Sequence, residues 1–145
     1  MTAAWPADAT RFLAFRLGPG ADLRQGLEAA FAAEPEPSGF VASCVGSLAR
    51  AALRYAGEDG AGATAGPLEL VSLSGTLSAD GPHLHASVAD AEGRVTGGHV
   101  LPGCVVRTTA EVVVGLTGAV VFARSLDPAT SYAELSVTPA APAAK

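Results

Sequence analysis

The run "TTAEVVVGLTGAVVFA", Thr108 to Ala123, is mostly apolar, most densely in "AEVVVGL" and "AVVFA". Successive side chains of a β-strand point to opposite faces, so strands cut from this run are apolar on both. Enrichment in β-branched residues and the glycine breaks divide it into two strands, 105–118 and 119–127. A strand apolar on both faces must be covered on both sides. The chain carries one helical pattern, which cannot supply that cover. Oligomerisation is therefore expected, with further copies covering what the chain leaves bare.

The helical pattern is "DLRQGLEAAFAA". Leu23, Leu27, Ala30 and Phe31 share one face. Asp22 and Gln25 have capping-box spacing, and Pro35 stops the run. The spacing predicts a helix over 22–33. Strands are expected at 10–18, 39–46, 68–78 and 131–137, and over the two arms of a hairpin between 83 and 100. "SLARAALRYAG" fits a helix, through Arg50 and Arg54 at i, i+4, or a strand. The glycine-rich stretch 58–66 reads as a flexible loop. One helix among so many strands implies an α+β domain with a mixed, largely antiparallel sheet. That single domain spans 10–137, between loose ends at 1–9 and 138–145.

A chain of 145 residues, 49% hydrophobic, suits one globular domain. It contains no apolar run of transmembrane length and no basic segment leading into an apolar one, so neither a membrane span nor a secretory signal is expected. Cys44 and Cys104 sit in apolar contexts and read as buried thiols. A cytoplasmic location follows. The net charge is −5, and the only lysine is the last residue. The arginines are scattered singly, so no basic patch for phosphate contacts is legible.

All three histidines lie in "GPHLHASVADAEGRVTGGHV". His83 and His85 share a strand face, about 7 Å apart by strand rise. "DAEG" carries the signature of a hairpin turn with its glycine in the left-handed region. Closing the loop Ala91–Glu92–Gly93 with Asp90 opposite Arg94 places Ser87 opposite Gly97 and His85 opposite His99. Opposed residues have β-carbons about 4.5–5.5 Å apart. The histidines then converge as a three-nitrogen ligand set for a metal such as zinc, leaving a fourth position open. The competing reading is a polar stripe that orders water. Gly97 and Gly98 suit the close approach of a ligand or another subunit, or a simple bulge. Glu111, a carboxylate within an apolar strand, reads as paired with Arg107, Arg16 or Arg124, or else as a base or fourth ligand. Glu134 and Glu69 are weaker versions of the same signal. No nucleophile elbow, phosphate loop or dinucleotide fingerprint is present.

"PGADL", "CVGSLARAAL", "LELVSLSGTLS", "HLHASVADAEGRVTGGHV", "VRTTAEVVV" and "RSLDPATSYAEL", in this order, resemble the plant and prokaryote conserved (PPC) domain over about residues 10–136. The resemblance implies an α+β homotrimer. In plants this domain follows AT-hook motifs and mediates association with transcription factors, while bare prokaryotic members carry a DNA-binding label. This chain contains no Arg-Gly-Arg-Pro hook, so direct DNA contact is not expected of it, whereas a protein partner is. Ser131 stands where the family has glycine. The fold is also similar to that of acetolactate decarboxylase, in which three histidines hold zinc. Carried over, His83, His85 and His99 are the zinc ligands, with Glu111 and Arg16 offered as catalytic groups beside them. The resulting expectation is a DNA-associated oligomerisation and binding module with a three-histidine metal site. The alternatives are a zinc-dependent lyase or hydrolase, and an oligomerisation module that holds no metal.

Overall fold

Two long strands form the spine of the chain: β2 (Ser38–Arg54) and β3 (Ala61–Ser78). They are joined in one sheet by β1 (Thr10–Leu17), β4 (His83–Ala89), β5 (Val95–Val100) and β6 (Val105–Thr117), in the order β1-β6-β2-β3-β4-β5. β5 also returns to the end of β2, pairing Val100 with Leu53 and His99 with Arg54, so part of the sheet curls closed. β7 (Val120–Leu126) and β8 (Ala133–Pro139) make a separate two-stranded sheet. This is a computed structural model, and it describes residues 2–141. Every ladder between these strands is antiparallel, so the parallel component expected of a mixed sheet is not found among the described residues.

The ambiguous "SLARAALR" is strand, the second half of β2. Alanine and arginine are poor strand formers alone, but here β3 and β6 hydrogen-bond the segment from both sides, and that pairing decides. Bulges around Leu48 and Arg50 shift the alternation, and Ala51, Ala52 and Leu53 are all buried. The glycine-rich stretch is only partly loop. Residues 61–66 begin β3, and Ala61 to Ala65 pair with Arg54 to Arg50. A backbone ladder needs no side chains, and the Tyr55 ring occupies the space a β-carbon would need at Gly62.

The helix α1 (Leu23–Ala32) starts as the capping spacing predicts. Asp22 Oδ1 accepts from the Gln25 N–H at 3.0 Å, while Oδ2 accepts from the Gly103 N–H at 2.5 Å. One carboxylate thus caps the helix and ties it to the turn before β6. Leu23 and Leu27 are fully buried against the sheet, each contributing roughly 1.5–3 kcal/mol by burial. The helix covers one region only. Phe12, Val45 and Val71 remain more than half exposed on β1, β2 and β3. Among the described residues, no helix is long and apolar enough to cross a membrane.

The β7–β8 sheet is docked by two polar anchors. Ser38 Oγ donates to the Val120 carbonyl at 2.9 Å and accepts from the Phe122 N–H at 2.7 Å. Asp80 Oδ2 accepts from the Arg124 N–H at 2.8 Å. Those anchors bring Arg124 and Glu134 to the mouth of the histidine hairpin.

Candidate metal centre

The turn between β4 and β5 is set by its own residues. The Gly93 N–H donates to the Asp90 carbonyl at 3.0 Å, and the Asp90 N–H donates to the Arg94 carbonyl at 3.0 Å. Asp90 Oδ1 accepts from the backbone of both Glu92 and Arg94. Gly93 takes φ +77°, a left-handed conformation that costs other residues about 1–2 kcal/mol. With that turn in place, Ser87 pairs with Gly97 and His85 with His99, as the loop count requires.

His83, His85 and His99 accordingly share one face. Their ring centroids lie 5.1 Å, 5.2 Å and 5.5 Å apart. One nitrogen from each ring falls within 4.8 Å of the others. Tetrahedral zinc with Zn–N of about 2.0–2.1 Å needs nitrogens roughly 3.3 Å apart, so the rings would draw together from within that 4.8 Å limit on binding an ion. His99 Nδ1 is buried without a hydrogen-bond partner, and such atoms usually have one. Burial and then the Arg124 charge push the His83 imidazolium pKa down. Burial, then Arg54 and His83, push that of His99 down to about 4. A neutral imidazole is the form that binds metal. The donor set therefore fits a divalent ion in type, and His83 and His99 fit it in protonation as well.

The histidines face a cleft of about 810 Å³. Arg24, Arg54 and Arg124 line it, with Glu134 from β8 and Tyr132 from the connection before it. Arg54 comes from the β2–β5 pairing, directly opposite His99. Arg124 donates to the Ala133 carbonyl through Nη2, and its Nη1 is buried without a partner. Sequence reasoning missed this set. It named Arg124 only as a partner for Glu111 and Glu134 only as a weak carboxylate, and no local pattern joins Arg54 to His99.

Glu111 and Arg16 are not among the described residues lining the cleft. They face each other across the β1–β6 ladder. Glu111 is exposed, because strand alternation buries Ala110 and Val112 and turns the carboxylate outward. Arg16 donates to Thr109 Oγ1 instead, at 3.0 Å. The pairing of Glu111 with an arginine is thus a cross-strand neighbourhood without an ion pair among the described residues. Gly97 and Gly98 do line the cleft, and the ladder runs through them without a bulge. At Gly98 the close approach comes from the chain itself, since a β-carbon there would lie 2.6 Å from the Arg54 carbonyl oxygen.

The comparisons with known proteins agree with this architecture. The family model of the Plants and Prokaryotes Conserved (PCC) domain matches residues 6–117, and the chain belongs to that family. A solved hypothetical protein from Salmonella is 41% identical, with a TM-score of 0.87 over 90% of this chain and 94% of that one. The metal-containing protein AF0104 from Archaeoglobus fulgidus shares the fold at 24% identity, with a TM-score of 0.72 over 86% of this chain and 91% of that one. Among curated proteins, a bifunctional protein GlmU from Synechococcus is 46% identical over 136 residues, 94% of this chain and 22% of that protein. A second Synechococcus strain has a GlmU matched over 21% of its length, so the chain spans about a fifth of the curated relatives it matches.

Proposed function

We propose that this chain is a trimeric PCC-domain binding module whose three histidines hold one divalent ion, zinc on the strength of the all-nitrogen donor set. The observation that carries this reading is the convergence of one nitrogen from each of His83, His85 and His99 within 4.8 Å. The name of the Archaeoglobus protein, metal-containing, adds support. The lyase or hydrolase alternative loses its residues, since neither Glu111 nor Arg16 lines the cleft. Zinc in a three-histidine centre would leave a coordination position for a ligand. The exposed Phe12, Val45 and Val71 favour association with further copies. A net charge of −5 favours a protein partner over direct DNA contact. The buried free thiols of Cys44 and Cys104 suit the reducing cytoplasm.

Elemental analysis of protein purified without a nickel column tests the metal. The expected result is one zinc per chain, absent from His85→Ala. Protein that takes up no metal after dialysis against zinc would end this reading. Light scattering is expected to return three times the chain mass, and a low-salt gel shift to show no DNA binding.

A further inference from the structure

Three arginines line the histidine cleft, and they are not equally engaged. Arg24 is already engaged: its Nε pairs with Glu28 at 3.1 Å, and its Nη1 donates to the Val100 carbonyl at 3.1 Å. Arg54 and Arg124 differ. Neither has a carboxylate partner among the described residues. Arg54 makes no side-chain hydrogen bond there, and Arg124 keeps Nη1 buried and unpaired. Buried cationic groups are normally paired, Arg124 Nη1 is such a group without a partner, and a guanidinium fork matches the two oxygens of a carboxylate or phosphate. The two arginines come from different sheets and reach the cleft at different histidines. Arg54 stands opposite His99 in the ladder, and Arg124 bears on His83.

Four carboxylates also line the cleft, and none forms an ion pair with Arg54 or Arg124 among the described residues. Glu58, Asp59 and Asp80 are exposed. Asp80 accepts from the backbone of Arg124, and Glu134 accepts from the Thr130 hydroxyl at 3.0 Å. A divalent ion on the three imidazoles would bring the positive charges around the cleft to five, against the four carboxylates that line it. We infer that the cleft binds a small oxyanion, a carboxylate or phosphate group, with one oxygen on the open metal position and the others on Arg54 and Arg124. The cleft volume of about 810 Å³ admits a metabolite-sized molecule around that group. This inference rests on the metal reading above and names the class of ligand that the same centre takes.

Calorimetric titration of the zinc-loaded protein with inorganic phosphate, and separately with malonate, tests it. At least one anion is expected to bind, with its affinity lowered at least tenfold in both Arg54→Gln and Arg124→Gln, each still holding one zinc per chain. Stronger binding of phosphate or of malonate then names the group. Arg124→Gln also removes the bond to the Ala133 carbonyl, so Arg54→Gln is the cleaner variant. Zinc-loaded protein that binds neither anion below 10 mM overturns the inference and leaves the metal centre standing; that ceiling is roughly 2.7 kcal/mol. Wild-type affinity in Arg54→Gln also overturns it. Failure of the metal reading shows separately, as absent zinc.

Discussion

Two hairpins meet at the cleft, and their turns solve the same problem with different residues. In the β4–β5 turn, Asp90 accepts backbone N–H groups from Glu92 and Arg94, and the left-handed position is Gly93 at φ +77°. In the β7–β8 turn, Asp127 accepts from the Ala129 and Ser131 N–H groups, and the left-handed position is Ser131 at φ +62°. Glycine takes that conformation freely, whereas serine is strained there. The first turn delivers the histidines in a fixed register. The second delivers Arg124 and Glu134, which depend on its docking through Ser38 and Asp80. The contrast separates a site half written locally from one assembled by packing.

The sharpest way to break the contrast is one added residue in each loop. A glycine inserted between Ala91 and Gly93 is expected to move His99 off the shared face and abolish zinc binding, read by elemental analysis. The same insertion between Pro128 and Ser131 should leave zinc at one per chain and weaken anion binding only. Equal loss of zinc from both would erase the distinction. Next in size is Gly98→Ala, whose β-carbon would meet the Arg54 carbonyl where β5 closes on β2. It should cost about 1–3 kcal/mol in urea unfolding.

The left-handed positions should then respond with opposite sign. Gly93→Ala is expected to lose about 1 kcal/mol, and Ser131→Gly to gain about 0.5–1 kcal/mol, both by denaturation midpoint. A Ser131→Gly variant no more stable than the parent would show that φ strain is not what distinguishes the turns.

The smallest effect concerns acid. The backbone N–H of Arg94, followed by its side chain, lowers the Asp90 pKa below 3.8. Asp90 therefore contributes stability that is present above that value and fades as pH falls through the folded pKa. Asp90→Asn should flatten the acid limb of the stability curve, while Gly93→Ala should shift the curve without changing its shape.

Much of the centre was legible before folding because its causes are local. Gly93 and Asp90 set the loop, the loop sets the register, and alternation puts His85 and His99 on one face. Asp22 and Gln25 announced the helix start in the same way. Glu111 was misread because its strand is apolar on either side, so periodicity carries no label for the buried face. The stretch at 61–66 was misread because a ladder recruits backbone whatever its side chains.

By itself, then, the amino-acid order determined the β4–β5 turn, the helix cap and, through the register that turn sets, the meeting of three imidazoles, all starting from interactions between residues a few positions apart. The tertiary structure alone decided that Arg54 stands opposite His99 and that Arg124 and Glu134 overlook the same cleft. Those contacts join segments tens of residues apart in sequence. Their geometry follows from bulges, strand bending and the docking of one sheet on another, which leave no periodic trace in the chain.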